Sequence, residues 1–499
     1  MTGLMAASTA SGAASIPAGP PAVSGFLSQH CFECHDSSLK KGDFDLERLG
    51  SGDLVAHRAE CEKVVRRLRT RQMPPPGEDK PSEAEYVRVL AQLEGALDQA
   101  AARRPDPGRP PTLRRLNRTE YQNAIRDLLD LEIRAAELLP KDDAGHGFDN
   151  VTMGTLSPTL LDRYIAAAQK ISRLAVGSPQ PVSGHTVRLP PDLTQEEHVD
   201  GLPLGTRGGA LIPQVFPLDA TYEIQVRLTR DRNEEVEGLR EPHTIVVLVD
   251  RREVASFTVE PPKGNRDFEA VDRHLKVRVP IRAGPHEVGV AFLKNPSSLL
   301  ETRRQPGAAR FNMHRHPRLG PAVYQVSING PYDPTGPGDT PSRRRIFQHL
   351  PKGPGDEEDC ARRNLSALAR MAYRRPVDDR DLENPMRLYW EARAERGYEA
   401  GVEAGLASIL VSPAFLFRVE RDPEGIAPQT AYRLSDLELA SRLSFFLWSS
   451  LPDEELLQRA VRGDLHRPAV LAKQVRRMLA SPRSVALADT FADQWLYLR

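Results

Sequence analysis

The sequence predicts a multidomain α+β protein: a small α-helical domain, a helical segment, an antiparallel β-sandwich of jelly-roll type and a C-terminal all-α domain. At 499 residues the chain is too long for one ordinary core and divides into about three domains at ~150 residues each. Between about 182 and 330 apolar and polar residues alternate, whereas on both sides apolar residues recur at helical spacing. Two proline-rich stretches, "RRPDPGRPPT" at 103–112 and "GPYDPTGPGDTPSRR" after the last alternating run, separate these regimes.

Residues 1–25 are small, uncharged and punctuated by Pro and Gly, the composition of a disordered leader or linker. They resemble a weak export signal but lack its basic start and firm apolar core. The first domain is expected over 26–104. Its last helix opens on a capping box, Ser82 with Glu85, and carries Tyr86, Leu90, Leu93 and Leu97 on one face. A helical domain follows over 112–178: Asn117 and Glu120 cap a helix bearing Tyr121, Ile125, Leu128 and Leu129. Ser157-Pro158 open another, bearing Leu161, Tyr164, Ile165 and Ala168. Over 182–332 the runs "TYEIQVRLT", "HTIVVLVD", "EVASFTVE", "HLKVRVPI", "HEVGVAFL" and "YQVSING" read as strands with no helix between them, hence a sandwich. The α-helical domain spans 342–499, with Leu365, Leu368 and Ala372 on one face. Ser435 and Glu438 cap "LASRLSFFLWSS", and a last helix runs through "ALADTFADQWLYLR".

Lys plus Arg equals Asp plus Glu at 68 each, and no long one-signed run occurs, so nucleic acid is not an expected partner. No apolar run approaches the ~18 residues of a transmembrane helix. Four cysteines are too few for a disulfide scaffold.

Two of the four stand in "QHCFECHDSSLKKGD", where Cys31, Cys34 and His35 form C-x-x-C-H. Thiols three positions apart can each add to a vinyl group of haem while the adjacent imidazole reaches the iron, so the motif points to covalent haem attachment. Zinc would need two more ligands at comparable spacing, and thioredoxin-like chemistry a βαβ context; neither is present. Met73, thirty-eight residues after His35, ends an amphipathic helix directly before three prolines, which hold the preceding backbone extended. It is the candidate sixth ligand, and Met opposite His raises the potential and suits electron transfer. The plainer role for a lone Met is to fill a core gap. His57 is a rival ligand better read as a surface helix residue, and Cys61 falls on the apolar side of its helix.

"HCFECHDSSLKKGDFDLERL" with "VVRRLRTRQMPPPGEDKPS" resembles the planctomycete-type cytochrome c domain. "LRRLNRTEYQNAIRDLLDL", "LLPKDDAGHGFDNV", "GPYDPTGPGDTPSRRRIF", "CARRNLSALARMAYRRPV", "ILVSPAFLFRVE" and "YRLSDLELASRLSFFLWSSLPDEELL" resemble the uncharacterised domains that accompany it. The resemblance implies haem c binding and electron transfer in an exported protein, periplasmic or on the cell surface, with an unidentified redox partner. Members usually continue into further C-terminal domains, so a chain ending at "QWLYLR" reads as a fragment or shortened form. In the family pattern a cysteine often follows "RRRIF"; Gln348 and His349 stand here instead, leaving Cys360 without that neighbour. Cys360 and Cys61 are expected as free thiols.

A second candidate site is the loop "DDAGHGFDN", with Asp142, Asp143, His146 and Asp149. Such groups can hold a divalent cation or act as an acid/base pair, although the EF-hand spacing is missing and aspartates in Gly-rich loops commonly cap helices. His314 and His316 are spaced to face one way on a strand but lack a third ligand, and a basic, Pro-ended loop is the better reading. Phe445, Phe446 and Trp448 read as core. Two alternatives to electron transfer remain open: a haem-linked oxidative enzyme acting on polysaccharide, in which the cytochrome feeds a site around Asp142 to Asp149, and a glycan-binding or cell-surface module tethered to a haem. A sandwich fold does not decide between them.

Overall fold

The computed structural model describes residues 21–47, 57–103, 108, 113–142, 148–149, 157–262, 270–294, 310–312, 318–427 and 430–498. Most of the expected leader therefore lies outside the described residues. The chain forms two compact units, residues 1–110 with 423–433 and residues 111–422 with 434–499. The whole is mixed α and β with antiparallel sheets, and no described helix is long and apolar enough to cross a membrane.

The first unit is helical: Pro21–His30, Phe32–His35, Arg58–Arg69 and Glu83–Arg103. The first helix starts inside the stretch read as leader, because Val23, Phe26 and Leu27 are core residues. Helix Arg58–Arg69 turns Cys61, Val64, Val65 and Leu68 inward, so the Cys61 thiol is buried. Helix Glu83–Arg103 begins at the expected capping box: the Ser82 N–H donates to Glu85 Oε2 at 2.8 Å, and the Glu85 N–H donates to Ser82 Oγ at 3.3 Å. It adds Tyr86, Val89, Leu90 and Leu93 to the same core.

The second unit opens with β1 (Leu113–Arg115) and helix Arg118–Leu129, capped by the predicted Asn117–Glu120 box. Helix Pro158–Val176 starts at Ser157 as expected, but its buried stripe is Tyr164, Ala167, Ala168, Ile171 and Ala175. Leu161 and Ile165 are each 38% exposed. Small residues on the buried side let neighbouring helices approach closely, and the bulkier leucine and isoleucine are left outside.

Eight described strands then make two sheets. They are β2 (Ser183–Arg188), β3 (Thr206–Phe216), β4 (Asp219–Leu228), β5 (His243–Val249), β6 (Arg252–Val259), β7 (Lys276–Ile281), β8 (Gly284–Leu293) and β9 (Val323–Gly336). The orders are β2-β9-β4-β7 and β3-β8-β5-β6, with every pairing antiparallel. Ile224 and Val226 of β4, Ile245 and Val247 of β5, Val290 and Phe292 of β8 and Val326 of β9 meet in one core. Residues 330–336, expected as loop, extend β9, because β4 resumes pairing at Tyr332 and Gly336 after register shifts.

The remaining described helices include Pro341–Ile346, Glu357–Tyr373, Asp379–Arg396, Tyr398–Val411, Asp436–Trp448, Glu454–Val461 and Pro468–Leu479. β10 (Phe417–Val419) returns to pair with β1. Helical segments before and after the sandwich share one core: Tyr121, Ile125, Tyr164 and Ile171 pack in the same cluster as Leu365, Leu406, Phe415 and Phe445. Phe445 and Trp448 are buried as expected, whereas Phe446 is 50% exposed and faces Phe491 edge-on at 5.5 Å. The expected last helix is instead a π-helical turn, Leu487–Ala492, followed by Asp493–Trp495.

Candidate functional site

The C-x-x-C-H motif occupies one helical turn. The Cys31 N–H donates to Leu27 O at 2.9 Å, which continues the direction of helix Pro21–His30, and the His35 N–H donates to Cys31 O at 3.0 Å. The turn ends at Asp36, whose carboxylate accepts from the Leu39 N–H at 2.6 Å and the Ser38 N–H at 3.0 Å. The Lys41 N–H on Cys34 O (3.0 Å) and the Leu46 N–H on His35 O (2.8 Å) then fold the chain back beside the motif.

That return brings the Phe44 carbonyl to 3.3 Å from His35 Nδ1 and the Phe44 ring edge-on to the imidazole, centroids 6.2 Å apart. With the proton on Nδ1 donated to this carbonyl, Nε2 carries the lone pair that a metal takes. Cys31, Phe32 and Phe44 pack against the first-unit core, giving the motif an apolar floor. Burial pushes the Cys31 thiol up to about 12, so it stays protonated at neutral pH, and no disulfide joins any two of the four cysteines. Lys41 Nζ lies 3.5 Å from Cys34 Sγ.

Met73 lies on the segment between helices Arg58–Arg69 and Glu83–Arg103 and is partly buried. Its carbonyl accepts from Tyr86 Oη at 2.9 Å. The sequence marks Tyr86 only as a helix-face residue, and Phe44 carries no signal at all. In both cases a main-chain carbonyl accepts the hydrogen bond, Met73's from Tyr86 and Phe44's own from His35, which residue type does not encode.

The donor set fits a haem. Two thiols and an imidazole on one turn match the two vinyl groups and the iron, and the His35 ring is already oriented through its second nitrogen.

The second candidate site is taken up structurally where it is described. Asp142 pairs with Arg115 (Oδ1 to Nη2, 2.8 Å) and accepts from the Arg118 N–H at 2.6 Å. Asp149 accepts from Asn117 Nδ2 at 2.8 Å, and its N–H donates to Gln494 Oε1 at 2.8 Å. Both carboxylates thus fasten the start of helix Arg118–Leu129. Asp143 and His146 lie outside the described residues, as do His314 and His316. Among the described residues no three His, Cys, Asp or Glu side chains gather as a metal-ligand set.

Comparison with protein families gives the class first: residues 31–77 match the family described as Planctomycete cytochrome C, a stretch that starts on Cys31 and includes Met73. Residues 114–177, 360–420 and 434–499 match three families, each described as Protein of unknown function: DUF1587, DUF1595 and DUF1592 respectively. The chain thus joins a stretch similar to Planctomycete cytochrome C to three stretches similar to domains of unknown function. No curated protein and no solved structure matches it.

Proposed function

We propose that the chain is an exported c-type cytochrome that transfers electrons, with haem c held by Cys31 and Cys34 and its iron by His35 and Met73. The observation that carries this reading is the His35 ring, placed one turn after Cys31 and oriented by the Phe44 carbonyl with Nε2 left for a metal. When bound, the haem supplies a one-electron couple. Cys31 and Cys34 would anchor it, His35 and Met73 would supply its iron ligands, and Phe32 and Phe44, packed against the first-unit core, would shield it from water. The haem domain is assigned to residues 26–104, and covalent attachment implies maturation outside the cytoplasmic membrane. A pyridine haemochrome spectrum with haem staining on a denaturing gel, on protein made with a c-type maturation system, tests the reading. Loss of stained haem in the Cys31→Ala/Cys34→Ala double variant supports it; retention overturns it.

The strand orders β2-β9-β4-β7 and β3-β8-β5-β6 support a jelly roll, since eight strands wound as a double Greek key fall into two such sheets. The described outer face of the first sheet carries polar side chains that bond one another. Thr186 and Ser327 bond each other at 3.1 Å, Gln325 Nε2 donates to Ser327 Oγ at 2.9 Å, and Arg278 lies 4.5 Å over the Tyr332 ring.

A further inference from the structure

One tyrosine touches the segment that carries Met73 and the helix that leads into the Cys31–His35 turn. Tyr86, 2% exposed, lies in the first turn of helix Glu83–Arg103 and donates its hydroxyl to Met73 O at 2.9 Å. Its ring meets Phe26 edge-on at 6.2 Å, and Phe26 belongs to the helix that runs into Cys31. Arg71 lies 4.3 Å over the same ring. Arg71 is in the left-handed region, φ 56°, which a residue with a Cβ adopts only when its surroundings hold it there. Here Glu83 grips the guanidinium at both oxygens, 2.9 Å and 2.6 Å, and Leu68 O accepts from Nη1 at 2.6 Å. The turn leaving helix Arg58–Arg69 is thus fixed two residues before Met73, and the Met73 main chain is fixed again by the tyrosine.

We propose that Tyr86 is the positioning residue for the sixth iron ligand, holding the Met73 main chain in place relative to the Cys31–His35 turn; this rests on the reading of Met73 as that ligand. The hydroxyl bonds the carbonyl and not the thioether, so the sulfur is left free to bind metal while its backbone cannot drift. A small external ligand can enter only in the fraction of molecules whose Met is off, and its apparent affinity scales with that fraction. Removing one hydrogen bond of ordinary net strength raises the fraction about fivefold.

The test uses the full-length, haem-loaded protein as wild type, Tyr86→Phe and Met73→Leu, with imidazole as the probe. Tyr86→Phe keeps the ring against Phe26 and Arg71 and is expected to retain covalent haem. Its ferric sulfur-to-iron charge-transfer band should weaken, its imidazole affinity rise about fivefold, and its potential fall. A purely structural tyrosine would lower the melting temperature without moving the band or the imidazole affinity. If Met73→Leu abolishes the band while Tyr86→Phe leaves both readouts at wild-type values, the Tyr86 proposal is wrong and the Met73 reading stands. A band that survives Met73→Leu overturns that reading itself. Should Tyr86→Phe fail to accumulate, Glu83→Gln at the exposed end of the same lock replaces it, and unchanged imidazole affinity there overturns the proposal.

Discussion

Single side chains divide by what they leave behind when removed. Met73→Leu keeps both thiols and His35, so haem should remain attached while the potential falls, because the thioether that favours ferrous iron is gone. Redox titration checks this, and an unchanged potential contradicts it. Glu120 is buried and pairs with Arg418 (Oε1 to Nη2, 3.1 Å), while Oε2 accepts from the Asn117 N–H at 3.0 Å. Burial pushes its carboxyl up, and Arg418 pulls against that. Glu120→Ala would strand a buried guanidinium and should cost about 3–5 kcal/mol in denaturant unfolding. Glu120 was legible in the sequence as the partner of Asn117 in a capping box. Its pairing with Arg418, 298 residues away, was not, because only the fold brings them together. C-x-x-C-H was legible for the opposite reason: its three groups lie within one turn, so spacing and geometry are the same thing.

Elements were readable wherever burial follows one period. Strands β4 and β7 alternate cleanly and β5 is an apolar run buried on both faces, whereas β3 carries Gly208, Gly209 and Pro213 and gives no strand signal. The cause is a bulge between Arg207 and Ala210, where Gly209 has φ 81° and a Cβ would sit 1.8 Å from Val290 O. Gly209→Ala should therefore lower sandwich stability by about 2 kcal/mol or more, read as an earlier melt; a wild-type melt would contradict it. Helix Asp379–Arg396 starts at a capping box of Asp378 and Asp381, and Arg375 holds Asp381 at both oxygens, each 2.7 Å. The Arg375 guanidinium keeps the Asp381 carboxyl below its usual range. A carboxylate depressed in the folded state contributes stability above its unfolded value of about 3.9, and that contribution is lost as pH falls through the folded value. Asp381→Asn should be less stable than wild type at neutral pH, with the gap closing in acid. Denaturant midpoints across that range check the sign, and a gap that widens in acid would contradict it.

At the scale of the molecule, the second unit joins stretches that are far apart in the chain. β1 pairs with β10 through Leu113↔Val419 and Arg115↔Phe417, and Tyr121 packs on Phe415 with ring centroids 5.8 Å apart. The residues matching the families at 114–177 and 360–420 therefore complete a common core. Residues 112–178 made alone should lack a cooperative thermal transition, since the stripe of Tyr164, Ala168 and Ile171 would face water; a sharp melt of that fragment would contradict this. Sequence pattern exposes such apolar stripes without saying which distant stripe covers them. In the first unit a short motif and a returning loop form the proposed iron anchor. Its most direct test is haem staining after denaturing electrophoresis of the matured full-length protein beside its Cys31→Ala/Cys34→Ala variant. A covalent haem gives a stained band for the wild type and none for the variant; equal staining of both would contradict attachment through Cys31 and Cys34.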